Sequence, residues 1–94
     1  MSQFERDSVK SCIRIFVHMQ PIMIAQSRQH GNLWDNLYKL YCKLENQLKK
    51  HGFSNDAIWH MELLGTGLYF KNRRHMSMKE ISEYILEMVI RAQY

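Results

Sequence analysis

The sequence predicts an all-α fold, a small antiparallel bundle of about four helices, on three observations. Apolar residues recur at helical spacing in four separate stretches. Start or stop signals punctuate these stretches, and the connections between them are short enough to turn one helix back beside the last. The 94 residues are expected to form a single helical domain, 1–94, since a chain of this length buries roughly 60–65% of its unfolded surface around one modest core. A composition of 46% apolar residues with one Pro and four Gly is that of a folded chain. No repeat, linker or low-complexity segment interrupts it.

The first helix is expected from about Phe4 to Gln29. Val9, Cys12, Ile13, Phe16, Val17, Met19, Met23 and Ile24 form a wide apolar arc, opposite Asp7, Lys10, Ser11, Arg14 and His18. Pro21 cannot donate a backbone hydrogen bond, so the helix must kink there or end near Gln20 and restart. Gln20 itself lies inside the apolar arc, where its amide needs partners; a Gln bonded at a helix end is the expected arrangement.

His30-Gly31-Asn32 is a tight connection to the most legible stretch, Asn32 to Gly52, for which the other segments read as partners. Leu33, Leu37, Leu40, Leu44 and Leu48 fall on one face with Tyr41 beside them. Asn32 suits an N-cap, Asp35 the positive end of the helix dipole, Lys49, Lys50 and His51 its negative end, and Gly52 the left-handed position after the last turn. Trp34, at the edge of the leucine face, is expected in the core.

Ser54 then reads as the N-cap of a third helix, with Asp56 in its first turn and Ala57, Ile58, Met61 and Leu64 inward. Gly65-Thr66-Gly67 favours a distorted or briefly extended segment near residues 65–72. The alternative is an unbroken helix in which Gly65 permits close packing. The last helix is unambiguous: Ser77-Met78-Lys79-Glu80 has capping-box spacing. Ile81, Tyr84, Ile85, Met88, Val89 and Ala92 form one face, Glu80, Glu83, Glu87 and Arg91 another, and Leu86 and Ile90 add a second apolar stripe that one neighbour cannot cover. Spare apolar surface on the first and last helices marks a contact surface.

Function is far less legible. The formal charge of +4 and pI near 9.2 suit nucleic acid or an acidic protein surface without selecting either. Cys12 and Cys42 are distant and outside any CxxC, so reduced thiols in a cytoplasmic protein are expected. No signal-peptide pattern opens the chain, and no apolar run approaches the roughly 18 residues that cross a membrane. The five histidines include no pair one helical turn apart within a predicted helix, and no zinc or calcium spacing is present, so no metal or cofactor is expected. Without a nucleophile elbow or a phosphate-cradling loop the chain does not read as an enzyme; His60 and Glu62 point apart on a helix.

Two candidate surfaces remain. Trp59, Leu63 and Phe70 on the third helix, with Leu86 and Ile90 on the fourth, are the expected protein-binding residues, since Trp is enriched at binding hot spots. The alternative is nucleic-acid binding through Lys39, Lys43 and Lys50, opposite the leucine face, with Lys71, Arg73 and Arg74 in the basic 71–75 segment beside Tyr69 and Phe70. The function expected is therefore a small non-enzymatic helical binding protein that docks onto a larger protein and modulates it as inhibitor, adaptor or chaperone. Such chains are common in phages and mobile elements. The alternative is a dimeric nucleic-acid-associated regulator using the 71–75 segment.

Overall fold

The computed structural model describes residues 1–28, 31–70 and 76–92, and of residues 69 and 70 the backbone alone. Among them are four helices: α1 (Gln3–Gln26), α2 (Asn32–Lys50), α3 (Asn55–Phe70) and α4 (Met78–Arg91). The small all-α bundle is as the periodicity predicts.

Each helix starts where a side chain can satisfy its first free N–H groups. Ser2 caps α1, its hydroxyl accepting from the Glu5 N–H at 3.1 Å. Ser54 caps α3 by accepting from the Ala57 N–H at 3.1 Å, and Ser77 and Glu80 form the predicted capping box on α4, at 3.2 and 3.1 Å. α2 is the exception, because Gly31 stands at its N-cap with no side-chain bond and Asn32 is already helical. Its far end follows the sequence: Gly52 takes a left-handed φ of 94°, the Phe53 N–H donates to the Leu48 carbonyl at 3.2 Å, and the Gly52 N–H donates to the Lys49 carbonyl at 3.0 Å. That pair of bonds closes the helix in a Schellman turn.

Of the two alternatives at Pro21, an end near Gln20 does not occur: α1 runs through the proline as one helix. The break expected near residues 65–72 is corrected. α3 continues through Gly65 and Gly67 to Phe70 instead of distorting at residues 65–70, and residues 71 and 72 lie outside the described residues. The reason is packing. A Cβ built on Gly65 would lie 2.7 Å from Val17 Cγ2, so the missing side chain is the space α1 occupies. Close approach of the helices outweighs the propensity cost of two glycines, about 1 kcal/mol each.

The helices pack up-down-up-down, with α1 rather than α2 at the centre. α1 touches all three others, whereas α2 rests on α1, meets α3 lightly and does not approach α4. Arg6 pairs with Glu87, and Lys10 with Glu83 at 3.6 Å, which aligns α1 antiparallel to α4. The core is built from Val9, Ile13, Phe16 and Val17 of α1, Met61 and Ile58 of α3, Ile81, Ile85, Leu86 and Val89 of α4, and only Leu44 and Leu48 of α2.

The leucine face of α2 is thus covered unevenly, with Leu44 and Leu48 buried and Leu37 partly buried against the core. Leu33 and Leu40, expected inside, are 50% and 37% exposed, and Ile24 on the opposing part of α1 is exposed too. Trp34 is half-buried, stacked on Tyr38. Gln20 does not find the expected partner: its Nε2 is buried without a hydrogen bond among the described residues. An amide left so is costly, by about 1–3 kcal/mol.

Candidate functional site

α3 is apolar around most of its circumference, which is unusual for a helix at the surface of a small bundle. Ala57, Ile58, Met61 and Gly65 face inward and are buried. Trp59 and Leu63, one turn apart on the opposite side, are 61% and 54% exposed, with Thr66 and Gly67 continuing that side toward the C-terminus. Past Asp56 in its first turn, the outer face carries no charge. Glu62, the other carboxylate of α3, is turned toward α2, where it accepts a hydrogen bond from the Tyr41 hydroxyl. Burial raises the Glu62 carboxyl above its ordinary range; the Tyr41 bond opposes this and nearby Glu45 adds to it. Burial, then Glu62, push the Tyr41 hydroxyl up as well.

The predicted protein-binding residues divide. Trp59 and Leu63 come together on α3. Ile90 is 42% exposed but borders a different depression of about 170 Å³, formed with Met1, Phe53 and Val89 and lined by neither Trp59 nor Leu63. Leu86 is wholly buried: the stripe expected to be spare surface faces the other helices and belongs to the core. The Phe70 side chain lies outside the described residues.

The basic residues divide too. Lys71, Arg73 and Arg74 lie outside the described residues. Lys39 and Lys43 line a shallow depression of about 480 Å³ on α2 with Asn36, Leu40 and Asn46, and Lys50 sits beside Lys49 in the last turn, where cations complement the helix dipole. None of these lysines forms an ion pair among the described residues. Six of the nine side-chain carboxylates are engaged elsewhere. Glu87 pairs with Arg6, Asp7 and Glu83 with Lys10, Glu5 lies 3.9 Å from His51, Glu62 holds Tyr41 and Glu80 caps α4. Asp35 and Asp56 stand in first turns, and Glu45 lies near Glu62.

A third feature escaped the reading of the sequence. Trp34, Tyr38 and Tyr41 stack along α2 with ring centroids 6.4 and 6.2 Å apart, and Phe16 of α1 continues the row at 5.1 Å from Tyr41. The three α2 rings form one wall of a groove of about 490 Å³, with Gln20, Met23, Ile24 and Ser27 of α1 opposite. The spacing i, i+4, i+7 of the three aromatic residues was the available signal, masked by the stronger leucine periodicity beside it.

Among the described residues no group of three or more His, Cys, Asp or Glu side chains could hold a metal ion, and no helix is long and apolar enough to cross a membrane. Fold and surface together define a small helical bundle with uncovered apolar faces on two helices. No protein-family model, curated protein or solved structure matches the chain.

Proposed function

We propose that this chain is a small non-enzymatic helical binding protein of the cytoplasm that docks onto a larger protein and modulates it as inhibitor, adaptor or chaperone, with the outer face of α3 as its contact surface. The observation that supports this is the exposure of Trp59 and Leu63 one turn apart on a helix with no charge beyond its first turn on that side. A lone exposed leucine is ordinary on a protein surface, but a tryptophan and a leucine together on an otherwise apolar helix side form the kind of anchor a partner's pocket desolvates.

The test is capture from host lysate with tagged wild type and with Trp59→Ala and Leu63→Asp, each run with and without nuclease and at low and moderate salt. The same discrete protein retained by the wild type under all four conditions, and lost by both variants, supports the reading. A buried tryptophan anchor is worth about 2 kcal/mol or more, so the loss on Trp59→Ala is expected to be at least about thirtyfold. Capture that vanishes with nuclease or salt would move the function to a dimeric nucleic-acid regulator, because counterion release makes phosphate binding fall steeply with salt.

A further inference from the structure

We propose a second docking surface, on the N-terminal half of α2, that takes an acidic amphipathic helix from a partner protein. Leu33, Asn36, Leu40 and Lys43 follow one another at i, i+3, i+7 and i+10, so they share one face over about three turns, or about 15 Å. Leu33 and Leu40 are exposed on it, and Lys39 and Lys43 border the depression beside Leu40. Leu33 and Leu40 form the exposed edge of the face that Leu44 and Leu48 bury in the bundle and on which Leu37 is partly buried.

Charge selects the occupant. Neither lysine has a carboxylate within ion-pair distance, and Asp35, one turn before Lys39, does not pair with it. The residues outside the description add no carboxylate side chain, since they are Gln29, His30, Lys71, Asn72, Arg73, Arg74, His75, Gln93 and Tyr94. Among the described residues Lys39 and Lys43 therefore leave this surface with unpaired positive charge. A second copy docked face to face would bring the two lysine sets together, which costs rather than gains. A phosphate backbone would satisfy the lysines and offer nothing apolar to Leu33 and Leu40. An amphipathic helix with leucine-like residues on its seam and carboxylates on its flanks supplies both, as in helix-in-groove recognition. This surface is distinct from the outer face of α3, so the two can fail separately.

The test uses the full chain and a fluorescein-labelled helical peptide of about 18 residues, with leucines at i, i+3 and i+7 and glutamates flanking them, titrated by fluorescence anisotropy. Comparison probes are the same peptide with lysine for glutamate, a labelled single-stranded oligonucleotide, and vesicles containing phosphatidylserine. The acidic peptide is expected to bind and the lysine peptide not. Lys39→Glu with Lys43→Glu, and separately Leu33→Asp with Leu40→Asp, are each expected to weaken binding at least about tenfold, with Trp59→Ala leaving it unchanged. These positions are exposed, and circular dichroism checks that the variants fold; Lys39→Gln with Lys43→Gln is the milder substitute should the reversal unfold. The proposal is overturned if the acidic peptide does not bind at about millimolar concentration, the weak end of measurable affinity. It is overturned equally if both peptides bind alike, if the oligonucleotide or the vesicles are preferred, or if the α2 variants bind as the wild type does.

Discussion

α2 and α3 make opposite use of their apolar residues. α2 has the cleanest amphipathic pattern in the chain and a complete C-terminal turn, yet only Leu44 and Leu48 are buried in the core. α3 has almost no one-sidedness and two glycines near its end, yet Met61, Ile58 and Ala57 lie at the centre and Gly65 admits α1 against its backbone. Periodicity therefore states which face of a helix is apolar and leaves open what covers it. Coverage is set by the neighbours, here by an α1 that contacts every other helix and an α4 that never reaches α2.

The sharpest way to break the comparison is within α2. Leu48→Ala empties a fully buried site and is expected to cost about 2–5 kcal/mol, whereas Leu33→Ala, about four turns earlier on the same face, is expected to cost about 0.5 kcal/mol or less. Urea midpoints at equal slope would measure both. Equal losses would mean that the whole leucine face is covered, and the docking surface on its N-terminal half would go with it.

Gly65→Ala is next. Alanine in place of glycine adds about 1 kcal/mol of helix propensity, but the new Cβ meets the stiff, buried Val17, and overpacking costs about 1–3 kcal/mol. A net loss of about 1 kcal/mol is expected, with Val17→Ala in the same chain recovering part of it in a double-mutant cycle. A gain in stability from Gly65→Ala alone would show that α1 and α3 do not approach closely there.

Much of this fold was legible. Four helices, the Ser54 and Ser77 caps, Glu80 and Gly52 were all readable because caps and turns are local, each settled within four or five residues. What was not legible depends on partners distant in sequence. Gly65 looked like a helix breaker because Val17, 48 residues earlier, is invisible to a local window. Leu86 looked like surplus surface because its stripe was counted against one neighbour, whereas a helix in this bundle has more than one. In the candidate site, Trp59 and Leu63 were recognisable from their position off the predicted inner face. The Trp34–Tyr38–Tyr41 row was hidden by the leucines, and the absence of an ion pair at Lys39 and Lys43 among the described residues depends on where the other helices place their carboxylates.

The smallest expected effect concerns the one polar tie described between the two contrasted helices, from Tyr41 to Glu62. Glu62 has its carboxyl raised by burial, so the folded chain holds that proton more tightly than the unfolded chain, in which the ordinary value is 4.5. The stability this provides is present below the unfolded value and is lost as pH rises through the raised folded one. The difference between wild type and Glu62→Gln isolates the tie, because glutamine keeps an oxygen for the Tyr41 hydroxyl but cannot ionise. Urea midpoints at pH 4 and pH 7 should show Glu62→Gln gaining on the wild type as pH rises. A difference that does not vary with pH would mean that Glu62 is solvated, and that α2 is held in the bundle by its packing on α1, through the Phe16–Tyr41 stack and the leucines beside it, rather than by a buried carboxylate on α3.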